Sequence, residues 1–159
     1  MGNGRAVAGV GLATLVVALG VPGACTGNDC AGDDQSWGSC SQGDKIDDNT
    51  WESAPVASKY LDFHGGRTWL FDPSPWMGKR TPVGFQAFVS LDPDPYASGG
   101  SGFAQSAGNL AEFLPASNPW QVNVENATCA QYYLRVVLTY AATGGAAGTC
   151  SSSADAATD

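Results

Sequence analysis

The chain has 159 residues, with 15 Asp and Glu against 7 Lys and Arg and a net charge of −8, a length that suits a single domain. Nucleic acids and anionic bilayers are held by clustered cations, and here only Lys79 and Arg80 are adjacent. Nucleic acid is therefore excluded as a partner, and so is a charged membrane surface held by electrostatics alone.

At the N-terminus Arg5 precedes an apolar run from Val10 to Val21, followed by Pro22, Gly23 and Ala24. A charged, then apolar, then small-residue order is that of a secretory signal, which the sequence places at 1–24. The run is shorter than the roughly 18 to 20 apolar residues that cross a bilayer. Cys25, Cys30, Cys40, Cys129 and Cys150 all follow it, with no histidine set or paired C-x-x-C knuckles for zinc. Disulfides are the expected use, and they call for an oxidising compartment.

Gly23, Ala24 and Cys25 resemble the lipobox of bacterial lipoproteins, with Pro22 where leucine is usual. The resemblance implies a lipid on Cys25, membrane contact only through that anchor, and a place at the outer membrane or cell surface. It leaves Cys30, Cys40, Cys129 and Cys150 to pair, and of the three connectivities the local bridges Cys30–Cys40 and Cys129–Cys150 are expected. The alternative is ordinary cleavage after Gly20, Gly23 or Ala24. That route gives a periplasmic or secreted product with Cys25 as a free thiol or an intermolecular bridge.

Residues 25–50 are rich in Gly, Ser and Asp, with Trp37 the main apolar group, and read as an acidic tether. The folded part is expected over 51–142. Ser58–Phe63 and Arg67–Phe71 are aromatic runs joined by His64-Gly65-Gly66, which predicts a hairpin. Val83, Phe85, Ala87 and Val89 fall on one face of a period-two run, which predicts a strand bounded by Pro82 before it and Pro93 and Pro95 after it. Phe103–Leu114 is read as a strand interrupted by Gly108. Trp120, Val122 and Val124 alternate with Gln121, Asn123 and Glu125, which predicts another. The last run, Cys129–Tyr140, is apolar on both faces, as in a strand inside a sheet. The fold class is all-β: a small antiparallel β-sandwich or barrel-like domain, between a disordered N-terminal tether and a low-complexity C-terminal tail over 143–159.

Chemistry is thinly signalled. His64 is the only histidine and reads as a solvated turn residue. Ser106 lacks the first glycine of a nucleophile elbow, because Ala104 stands there. Asp72, Asp92 and Asp94 sit beside prolines in loops and fit no complete calcium loop. Glu52, Glu112 and Glu125 supply carboxylates for a glycosidase in number only. No catalytic, metal or cofactor-binding residue is therefore assigned.

Aromatic residues give the better lead. Trp76, in a proline-rich loop, is expected to be exposed. With Asp92, Asp94 and Tyr96 it makes the candidate binding surface, for an envelope protein or a polysaccharide. A non-enzymatic exported binding domain is the expected function. A secreted hydrolase with carboxylate chemistry and a structural assembly component are the alternatives. The chain is similar in general layout to exported proteins of Gram-negative bacteria.

Overall fold

The computed structural model describes residues 32–54, 59–97, 104–142 and 148–150. The predicted signal segment, Cys25, Cys30 and the chain beyond Cys150 lie outside the described residues. Ten strands are described: β1 Asp34–Trp37, β2 Asp44–Asp47, β3 Thr50–Glu52, β4 Leu61–Phe63, β5 Thr68–Phe71, β6 Gly84–Ser90, β7 Gln105–Ser106, β8 Ala111–Leu114, β9 Val122–Asn126 and β10 Tyr132–Thr139. One short helix, α1, spans Ser74–Met77.

The strands make two facing sheets, ordered β1-β5-β9-β8 and β2-β3-β10-β6-β7, with β4 also paired to β10. All pairs are antiparallel except β1 on β5. This is the expected all-β sandwich. β10 lies in the middle of its sheet, and its outer face carries Tyr133, Arg135, Val137 and Thr139, of which only Val137 is buried. Leu134, Val136 and Leu138 point inward and are fully buried, where they meet Trp51, Phe63 and Val89 of the same sheet and Trp69, Phe71, Val122 and Val124 of the other. Burying each large side chain of this set contributes roughly 1.5–3 kcal/mol. Gly43, at φ 74°, lets the β2 backbone pass over the Trp51 ring, since a Cβ there would lie 2.5 Å from it.

Several expectations are corrected. Residues 34–50 are not a tether, because β1, β2 and β3 all begin in that stretch and join the sheets. Its few apolar groups suffice because Trp37 packs edge-on against Trp69 at 5.7 Å and donates from Nε1 to the Ser53 carbonyl at 3.0 Å. The backbone ladder to β5 supplies the rest. The His64-Gly65-Gly66 turn is not a hairpin. β4 pairs with β10 and β5 with β1 and β9, so this turn carries the chain from one sheet to the other. Gly65 is needed there because a Cβ would fall 2.5 Å from the Cα of Cys129.

The disulfide of Cys40 and Cys150 is long-range where the local bridges Cys30–Cys40 and Cys129–Cys150 were expected. Cys40 is bonded to Cys150 across a sequence separation of 110, with Cα atoms 5.4 Å apart. Cys129 is also disulfide-bonded. β1 and β2 bring Cys40 into the folded domain, and the Cys150 N–H donates to the Pro75 carbonyl at 2.7 Å, so the start and end of the domain meet beside α1. A disulfide is compatible with an exported protein, and among the described residues no helix is long and apolar enough to cross a membrane.

Phe103–Leu114 becomes two strands in different sheets. β7 pairs with β6, a 3₁₀ turn follows at Gly108–Leu110, and β8 pairs with β9. Gly108, at φ 53°, sits where the chain changes sheet.

Candidate binding cleft

The change of sheet between β7 and β8 opens one flank of the sandwich. β7 covers β6 only at Phe88 and Val89, and the Ala107 N–H then donates to the Ala87 carbonyl at 2.8 Å. Beyond that point the chain has crossed to the other sheet. Among the described residues the N-terminal end of β6 is thus left as an edge, facing β8 across a gap. A cleft of about 300 Å³ occupies this gap. Phe85 and Phe113 stand at its mouth with ring centroids 5.6 Å apart, and Ala87, Ala107 and Ala111 form its floor. Phe85 is 47 % exposed and Val83 66 % exposed, although both continue the face on which Ala87 and Val89 are buried. Alternation therefore identifies the inward face of β6 correctly but not the point at which the opposing layer ends. The absence of charge from Val83 to Ser90 and the interrupting Gly108 are the sequence signals of this cleft.

The surface expected from sequence is placed differently. Trp76 is 6 % exposed and belongs to the core, where α1 plugs one end of the sandwich and the indole Nε1 donates to the Gln42 carbonyl at 3.3 Å. Proline-rich surroundings here mark a tight turn over the core and not an exposed ring. Asp92 and Asp94 shape the loop after β6: the Asp92 N–H donates to Ser90 Oγ at 3.0 Å, and Asp92 Oδ1 accepts from the Asp94 N–H at 2.9 Å. The Tyr60 N–H donates to the Pro93 carbonyl at 2.7 Å, which docks the loop on the outer face of the larger sheet. Tyr96 remains 48 % exposed, edge-on to Tyr60. Trp76 is thus separated from the other three residues by burial.

Beneath that loop Arg135 makes a two-pronged ion pair with Glu52, at 2.6 Å from Nη2 and 3.2 Å from Nε, and lies 5.4 Å over the Phe88 ring. Both side chains are nearly buried, so the pair is a structural lock whose members leave no free charge. Burial, and then the adjacent Tyr96, push the Tyr60 hydroxyl up to about 12.

The opposite flank carries a second charged cluster. Arg67 donates to both oxygens of Asp33 at 2.8 Å and also binds Asp62, while His64 Nε2 lies 3.2 Å from Asp33. The Arg67 guanidinium holds the Asp33 carboxyl down at about 2. His64 is therefore a half-buried neighbour of Asp33 and not the fully solvated turn residue expected.

Glu112 and Glu125 are cross-strand neighbours on the outer face of the smaller sheet, side by side and not opposed across a cleft. Asn126 of the Asn126-Ala127-Thr128 triplet is buried. Its amide donates to the carbonyls of Phe63 at 2.6 Å and Ala130 at 2.9 Å, and its oxygen accepts from Thr128, so the triplet is a structural turn. Among the described residues no group of three His, Cys, Asp or Glu side chains is placed to hold a metal ion. Compared with protein-family models, with curated proteins and with solved structures, the chain has no match.

Proposed function

We propose that the chain is exported and works outside the cytoplasm as a binding domain, anchored through a lipid on Cys25 and engaging an envelope protein or a polysaccharide. The observation that carries this reading is the Phe85–Phe113 pair, two half-exposed aromatic rings at the mouth of a cleft floored by alanines. A phenylalanine left half-exposed on an inward-facing strand position forgoes part of the roughly 1.5–3 kcal/mol of full burial, which a partner can recover. The charged groups nearest to a site-like arrangement are already tied into the Glu52–Arg135 and Asp33–Arg67–Asp62 pairs, which also favours binding over carboxylate chemistry. A structural assembly role is the second reading, favoured by the uncharged free edge of β6.

Two measurements test the proposal. Intact mass of the protein from its native host is expected to begin at Cys25 with acyl mass added, and a start elsewhere without lipid removes the anchor. Co-sedimentation with isolated cell envelope is expected to weaken about tenfold for Phe113→Ser, the equivalent of about 1.4 kcal/mol, and to be unchanged for Leu91→Ser. Equal retention of Phe113→Ser and the unsubstituted chain would count against the cleft.

A further inference from the structure

Among the described residues the β6 edge over 84–86 and the strand beside it, β7, differ from the other sheet edges, and β7 has only two residues to offer a partner. β1 carries Asp34 next to Asp33, β2 carries Asp44, Lys45 and Asp47, and β8 carries Glu112. Charges of this kind keep edges from pairing with another chain. From Val83 through Ser90 there is no charged residue at all. The backbone there is aimed outward. In an antiparallel strand the N–H and C=O of alternate residues point to the same side, and the Ala87 carbonyl accepts from the β7 side. Phe85 therefore directs its own N–H and C=O to that side, beyond the last β7 pair at Phe88.

We infer that this edge pairs with the same edge of a second copy of the chain, in an antiparallel register centred on Phe85. This rests on the reading of the Phe85–Phe113 cleft as a binding surface, and it names the occupant of the β6 edge beside it. A two-fold arrangement uses one patch on both copies. Here it sets Phe85 against Phe85 of the second copy and Gly84 against Gln86 of the second copy, with apolar groups on one face and Gly and Gln on the other. The charge balance selects this edge for self-pairing. With a net charge of −8, two copies meeting at β1 or β8 would bring carboxylates together, whereas at β6 none are opposed. The overlap stops at Gln86, because Ala107 already lies alongside Ala87. Such a contact is short, at the small end of specific interfaces, so the dimer is weak and depends on concentration.

The test is sedimentation of the full chain over a series from about 1 to about 500 μM, a range that brackets weak interfaces. The average mass is expected to rise toward that of a dimer. Phe85→Asp, which sets two carboxylates face to face, is expected to stay monomeric with an unchanged unfolding midpoint. Phe85→Cys is expected to form a covalent dimer on oxidation about tenfold faster than Leu91→Cys, since directly opposed strand residues lie within disulfide reach. A monomer at every concentration, association of Phe85→Asp like the unsubstituted chain, or equal cross-linking of the two cysteine variants would overturn self-pairing. If the chain stays monomeric while Phe113→Ser still loses envelope binding, self-pairing fails and the cleft remains a binding site for something else. If neither changes, both fail.

Discussion

The two flanks of this sandwich are finished in opposite ways. On one flank β1 and β2 are pinned. Trp37 is wedged against Trp69, Arg67 grips Asp33 and Asp62, and Cys40 is bonded to Cys150. On the other, the chain leaves β7 for β8, β6 carries no charged residue of its own, and two phenylalanines are half-exposed. The contrast separates the flank that holds the fold together from the flank proposed to meet a partner. A domain of this size with a modest core needs its first strands fastened, and it does so at the flank rich in polar and cross-linking residues.

Removing the Cys40–Cys150 bridge should therefore have the largest effect. A Cys40→Ser/Cys150→Ser variant is expected to lose about 4 kcal/mol, because the bridge closes a loop on the order of 100 residues in the unfolded chain; urea unfolding measures it. A loss below about 1 kcal/mol would mean that the pinned flank does not depend on its bridge. Trp37→Ala comes next, with a loss of about 2–3 kcal/mol by the same assay, less than for a fully buried tryptophan because the ring is only partly covered.

Acid should loosen the same flank selectively. Asp33 is held at about 2 against an ordinary 3.8. A lowered folded-state pKa stabilises above the ordinary value, and that contribution is lost as pH falls toward the folded one. Protection of the amides in 33–37, measured against their intrinsic exchange rate at each pH, is thus expected to fall between about pH 4 and pH 2, before protection in β10 does. A uniform loss of protection would contradict a local clamp. The smallest effect belongs to the open flank: Phe85→Ser is expected to change unfolding by no more than about 0.5 kcal/mol, as for an exposed position outside the core. A loss near that of Trp37→Ala would show that the exposed ring holds the fold together.

The same contrast explains what the sequence made legible. Alternation found β6, β9 and β10, because each has an inward face of apolar residues, and aromatic runs found β4 and β5. Neither signal found β1 or β2. β1 rests on Thr68–Phe71, far away in sequence, with Trp37 as its main packing group, and β2 is a charged strand held by its ladder to the adjacent β3. The local disulfide expectation failed for the same reason, since Cys40 is brought to Cys150 only when these strands join the sheets. Trp76 and Phe85 exchange the roles that their surroundings suggest. Proline around Trp76 marks a tight turn that folds the ring inward. Regular alternation around Phe85 continues past the point where the opposing strand has left.

The most direct test of the open flank as the contact surface is amide hydrogen exchange of the full chain in three states: dilute, concentrated, and mixed with isolated cell envelope. Slowed exchange at 83–86 and 111–114 in either of the last two states, with 34–37 unchanged, is the predicted result. Slowing at 34–37 or at 91–97, with 83–86 and 111–114 unaffected in both, would place the contact elsewhere and contradict the division between the pinned and the open flank.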